Sequence, residues 1–202
     1  MRILRIEKAM MIGLAVVILW TAWSGHVMSN IEENMTRLHV IADSNTQEAQ
    51  ALKLKVRDSV LETAVKLTSG CENSAEANEV LKENLELINN TAQDTVLSNG
   101  YTWNVSTVLE TEHYPIRDYD TFSLPSGDYS SLKVTIGSGQ GENWWCVLFP
   151  PLCIAAAEGE DLVKYTGLTD REWDVLRSDE DGYEVRFLLL DLFSRVKYSL
   201  RG

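Results

Sequence analysis

Over 202 residues the chain sets 30 Asp and Glu against 18 Lys and Arg, a formal net charge of −12 at pH 7. Such a surface repels phosphate backbones and anionic headgroups, which excludes nucleic acid as an expected partner. Three cysteines, an odd number, make no disulfide framework, and the length suits one domain with a real hydrophobic core.

The N-terminus differs in kind from the rest. Arg2, Arg5 and Lys8 outnumber Glu7, and a stretch poor in polar groups then runs from Ala9 to Trp23. At about 1.5 Å rise per residue that stretch spans roughly 22 Å, short of the ~30 Å hydrocarbon core. A basic flank, an apolar centre and small residues near its end are the anatomy of a secretory signal. Ala22 and Ser24 stand two apart, as a leader peptidase requires, although Trp23 between them is bulky. The apolar residues on either side, among them Val27 and Met28, would lengthen the span into an uncleaved anchor. Both readings stand. Bases before the span and none soon after it set the N-terminus in the cytoplasm and send the remainder across. Residues 1–24 are therefore expected as a signal peptide or membrane anchor, touching the membrane through residues 9–23. Residues 25–36, polar and without period, are expected as a tether, and 37–202 as a single domain. Beyond residue 24 the net charge deepens to −14.

Arg37 to Ala42 is a short β-branched run, read as a strand. Asp43, Ser44 and Asn45 follow, residues that favour turns and helix caps, with Asn45 or Ser44 as the expected N-cap. Ala49, Leu52, Val56, Val60, Ala64 and Leu67 then recur at helical spacing until Gly70. A second helix, capped by Asn73 or Ser74, carries Ala77, Leu81, Leu85, Ile88, Ala92 and Val96 on one stripe and stops at Gly100. The short turn between the two predicts antiparallel packing. From Tyr101 to Leu109 the period drops to 2, the mark of a half-buried strand. Phe122 and Leu124 lead into a Pro125-Ser-Gly-Asp128 turn, beyond which Leu132, Val134 and Ile136 alternate and predict a hairpin. The glycines at 137, 139 and 141 predict a flexible surface loop ahead of a dense apolar run, Trp144 to Ile154. Thr169 caps an expected short helix, Asp170 to Arg177, with Trp173 as its anchor. Tyr183 to Leu189 reads as a closing strand and Leu190 to Leu200 as a terminal helix. The order predicts an α+β domain, an antiparallel helix pair packed on one face of a mainly antiparallel sheet.

Chemistry is sparse. His39 and His113 lack zinc-ligand spacing, and no HExxH or CxxC supports them, so neither metal nor cofactor is expected. His39, inside a strand, reads as a satisfied, hydrogen-bonded histidine. Cys146 and Cys153 either pair outside the cytoplasm or stay reduced as small buried hydrophobes. Cys146 with His39 or His113, and Asp43 or Asp118 as orienter, supplies the residue types of an extracytoplasmic Cys-dependent hydrolase. Apolar neighbours would blunt such a thiol. The glycine loop opens onto Asn143, Trp144 and Trp145, a poor helix start and hence a poor phosphate cradle. In a strand the two tryptophans face opposite ways, one available to a partner.

Five stretches carry a resemblance in order: Leu38-His-Val-Ile-Ala-Asp-Ser-Asn45; Gln50-Ala-Leu-Lys-Leu-Lys-Val-Arg-Asp58; Tyr114-Pro-Ile-Arg-Asp-Tyr119; Leu124-Pro-Ser-Gly-Asp-Tyr129; and Gly139-Gln-Gly-Glu-Asn-Trp-Trp-Cys-Val-Leu-Phe-Pro-Pro-Leu-Cys153. Together they resemble the stage II sporulation protein R family. The resemblance implies a signalling protein of endospore formers, exported from the forespore into the space between forespore and mother cell, secreted or N-terminally anchored. Its implied partner is the membrane-bound sporulation sigma-factor processing peptidase, an aspartic protease of the mother cell. That protease cleaves the inactive precursor of the mother-cell sigma factor. Activation would be by binding, with no catalysis by this chain. The candidate contact residues are Asn143, Trp144, Trp145, Arg117 and Tyr119. The rival classes are the Cys-dependent hydrolase and an inert envelope protein.

Overall fold

The computed structural model describes residues 2–119 and 122–152, together with Trp173 and Leu176. The chain opens with helix α1 (Arg2–Glu33), strand β1 (Thr36–Ile41) and helices α2 (Gln47–Thr68), α3 (Ser74–Glu83) and α4 (Leu85–Ser98). Strands β2 (Val105–Tyr114), β3 (Arg117–Asp118), β4 (Ser123–Leu124), β5 (Gly127–Ile136) and β6 (Asn143–Phe149) follow.

Helix α1 has two parts. From Met10 to Trp23 its large apolar side chains are exposed, and Met10–Glu33 is long and apolar enough to cross a membrane. Its last turns are different. Val27, Met28 and Ile31, with Met35 just beyond, are buried against the domain. The expected tether is thus corrected, since residues 25–36 continue the helix to Glu33 and enter β1 at Thr36. The four buried residues do keep a helical spacing, but Gly25 and the polar residues between them hide it.

Helix α2 buries Ala49, Leu52, Val56, Val60 and Ala64, the stripe expected from the period. Its cap is Thr46, whose Oγ1 accepts from the Ala49 N–H at 3.2 Å. Asn45 is drawn elsewhere, its Oδ1 accepting the Glu142 N–H at 2.7 Å. The expected second helix is broken in two at Asn84 (φ −109°, ψ 16°), whose side-chain amide turns back to the Val80 carbonyl. Ser59 bonds Thr95 and Lys55 bonds Asn99, so α2 and α4 run antiparallel as predicted.

The main sheet has the order β2-β5-β1-β6. Two of its pairings are antiparallel, but β1 and β5 are parallel, because three helices intervene before the chain returns alongside β1. The hairpin pairs β5 with β2, from Val105 opposite Ile136 to Tyr114 opposite Gly127. Phe122 and Leu124 belong instead to the long excursion between them, which folds on itself as the small β3–β4 ladder.

Both faces of the sheet are covered. On one, Leu38, Val40, Leu132, Val134, Cys146 and Leu148 pack against α2 and α4. On the other, Tyr114, Phe122, Leu124, Tyr129 and Val147 form a second core with Val27, Ile31 and Met35. Trp173, the expected anchor, is buried there 6.0 Å from the Phe122 ring. Leu176 is buried in the same core, and the other residues of the expected 170–177 helix, the 183–189 strand, the 190–200 helix and Cys153 lie outside the described residues.

The glycine loop is not the free loop its composition suggests. Ser138 donates its N–H to Asp43 Oδ1 at 2.8 Å, and the Gln140 and Gly141 N–H groups bond the carbonyls of Asp43 and Ala42. Gly137 sits at φ +58°, where a Cβ would run into the Asp43 carboxylate. The loop thereby closes over the end of β1 and delivers the chain to the sheet edge as β6.

Candidate functional site

Alternation along β6 splits its first three residues. Asn143 is exposed at the rim, and Trp144 turns to the helix side under the Arg57 guanidinium, 4.7 Å from the ring centroid. Trp145 turns to the opposite face, where Arg117 Cζ lies 3.8 Å over its ring. Arg117 reaches that point from the β3–β4 ladder. Ser123 Oγ bonds Asp118 Oδ1 at 2.7 Å, the Tyr119 N–H bonds the Phe122 carbonyl at 2.8 Å, and the Tyr119 and Phe122 rings stack at 4.7 Å.

These pieces enclose one open groove of about 460 Å³ lined by Arg117, Asp118, Tyr119, Glu142, Asn143, Trp144 and Trp145. All five candidate contact residues meet there. Glu142 was not singled out beforehand, and Asp118 only as an orienter in the Cys–His reading. Lys53 steadies the Glu142 end, its Nζ donating to the Glu142 carbonyl at 3.0 Å and to Gln50 Oε1 at 2.6 Å. Burial lowers the Lys53 pKa, with the Glu142 charge opposing and the Arg57 charge assisting.

Beneath the groove runs a buried polar chain that joins its two walls. His39 Nε2 lies 2.9 Å from Asn143 Oδ1, and His39 Nδ1 lies 3.0 Å from Glu112 Oε2. Glu112 also accepts from Ser131 Oγ at 2.6 Å and from Lys133 Nζ at 2.9 Å. Burial alone would raise the Glu112 pKa, but the hydrogen bonds from Ser131, Lys133 and His39 outweigh it and hold the carboxyl below its ordinary value. Ser131 bonds Tyr114 OH at 2.6 Å, and Arg37 Cζ lies 4.0 Å over the Tyr114 ring. Arg37 Nη2 then donates to Tyr119 OH at 2.7 Å, which returns the chain to the groove.

Arg37 is fully buried, and its Nε and Nη1 have no hydrogen-bond partner among the described residues. An uncompensated buried charge is costly, and the rings of Tyr114 and Tyr129 offset part of that cost by facing it. Burial in turn drives both phenol pKa values up, out of the physiological range. Sequence reasoning missed Arg37, Glu112 and Ser131 as supports. The only local signal is alternation, which sets Arg37 and His39 on the face opposite Leu38 and Val40.

The residues of the Cys–His reading do not come together. Cys146 pairs with Leu38 across the ladder and faces the helix-side core, fully buried, while His39 and Trp145 share the other face. Cys146 is disulfide-bonded and Cys71 is free. His113 lies on β2 beside Asp128 at 2.8 Å, remote in register from β6. His39 is the hydrogen-bonded strand histidine expected. Among the described residues no three His, Cys, Asp or Glu side chains cluster as a metal site.

Residues 32–159 match the family model described as stage II sporulation protein R, a range that contains every residue lining the groove. Stage II sporulation protein R of Bacillus subtilis (strain 168) is 30% identical over 187 residues, covering 81% of this chain and 84% of that protein. No solved structure matches the chain.

Proposed function

Since the chain belongs to the stage II sporulation protein R family, we propose that it is an exported sporulation signal that switches on a membrane protease by contact. The protease is the mother-cell aspartic peptidase that processes the inactive sigma-factor precursor. In this reading the chain leaves the forespore, is cleaved or stays anchored by α1, and presents its domain in the intermembrane space. It performs no chemistry. The peptidase has weakly and strongly active states, and the chain shifts their balance by binding the active one better, by no more than that difference in affinity.

The observation that carries the reading is the groove itself. Arg117, Tyr119, Asn143, Trp144 and Trp145 line one open cleft, and Trp, Tyr and Arg are the side chains that dominate interface energetics. The exposed apolar part of α1 supports a membrane-proximal signal. We assign Cys153 as the partner of Cys146, in a bridge that persists outside the cytoplasm and adds roughly 2–3 kcal/mol.

The test is processing of the sigma-factor precursor in a heterologous cell that makes the peptidase, with and without the exported chain. Processing only when both are present, retained in Cys146→Ser, is the expected result. No processing with a folded, exported chain would remove the assignment.

A further inference from the structure

Resting on that reading, we propose that the groove captures a carboxylate, an Asp or Glu side chain on an extracytoplasmic segment of the partner, with Arg117 as its receptor and Trp145 as its floor. The Arg117 guanidinium lies over the Trp145 ring at 3.8 Å and makes no hydrogen bond or ion pair with any described residue, and its Nε is buried without a partner among them. A cation held over a ring face spends no N–H on that contact. Its planar fork of donors stays available at the edge, the geometry that takes a carboxylate through two parallel bonds.

The other charges of the groove are placed differently. Asp118 accepts from Ser123, and Glu142 stands next to the Lys53 ammonium, whose pKa its charge supports. Behind Tyr119 the fully buried Arg37 adds a second positive charge, and its Nη2 holds the phenol oxygen. An incoming carboxylate is therefore favoured at Arg117 and repelled at Asp118 and Glu142 on either side. That pattern fixes register by repulsion as well as attraction. The chain's net charge of −12 gives no long-range attraction for an acidic partner, so the recognition is short-range and specific. A buried hydrogen-bonded charge pair acts mainly on dissociation, whereas rim charges set the encounter rate.

The experiment uses full-length chain and peptidase co-expressed in a heterologous cell, with precursor processing as readout. Arg117→Glu, present at the wild-type level, is expected to cut processing on the order of tenfold or more. Arg117→Met, which keeps an apolar contact on Trp145, is expected to lose most of it too. Replacing the extracytoplasmic carboxylates of the peptidase one at a time by Lys should restore Arg117→Glu at one position. Recovery by a charge exchange also shows that the variant folds. Wild-type processing by both Arg117 variants overturns the inference and leaves the proposed function standing. A loss that no exchange restores overturns the carboxylate assignment. Absence of processing with the wild-type pair defeats the proposed function, and this inference falls with it.

Discussion

His39 joins Asn143 to Glu112 through the two nitrogens of one imidazole, at 2.9 Å and 3.0 Å. An exposed rim residue is thereby tied to a carboxylate that is itself held by Ser131 and Lys133. His39→Ala cuts this chain in the middle and leaves Glu112 with one donor fewer. The expected loss is roughly 1–3 kcal/mol of stability, measured by urea unfolding of the detergent-solubilised chain. A shift within a few tenths of a kcal/mol would show that the contacts contribute nothing.

Glu112 gives the chain a defined acid sensitivity. Its folded-state pKa lies below the ordinary 4.5, so the unfolded state binds its proton first as pH falls. The stability it contributes is fully present above about pH 4.5 and is lost as pH falls through the folded value. Thermal melts from pH 6 downward, roughly in half-unit steps, should show a drop below that point that is shallower in Glu112→Gln. Parallel curves for the two proteins would contradict the assignment.

The last turns of α1 are part of the domain core. Ile31 is 1% exposed, in contact with the second core. Ile31→Ala should cost about 2–5 kcal/mol, the range for a large-to-small change in a packed interior. A segment that served only as a tether would register within about 0.5 kcal/mol. Chemical denaturation separates the two.

Gly137 and Gly70 make a paired test of the loop. Gly137 combines positive φ with a Cβ direction blocked by Asp43, whereas nothing crowds Gly70. Gly137→Ala should destabilise by roughly 1–3 kcal/mol and disturb the delivery of β6. Gly70→Ala should stay near neutral. Equal effects at the two positions would mean that the loop is not clasped on β1.

What the sequence makes legible follows from range. The stripe of α2 and the turn at Gly100 are local signals, and each appears in the fold, whereas the strand expected from Tyr101 begins only at Val105 and runs on to Tyr114. Helix starts are less legible because caps compete. Asn45 has the right chemistry for capping but accepts the Glu142 N–H, and Thr46 caps in its place. Strand order is not legible at all. The parallel pairing of Leu38 with Leu132 joins residues far apart in sequence, and no local pattern encodes it. The groove depends on two such long-range facts, the Trp145–His39 register and the β3–β4 excursion that brings Arg117 over Trp145. Residue type and motif selected the five candidate positions; only the fold brings them to one cleft. Arg37 and Glu112 escaped notice because charged residues in an alternating strand read as a solvent face, and here that face is covered by the excursion and by α1.

The groove is proposed as the surface that meets the peptidase. It is tested most directly by a photo-crosslinking amino acid at the exposed Asn143 position, in full-length chain co-expressed with the peptidase, with Leu97 on the exposed side of α4 as the control position. A crosslink to the peptidase is expected from position 143 and none from position 97. Crosslinks from 97 alone, or none from 143 while the precursor is being processed, would contradict it.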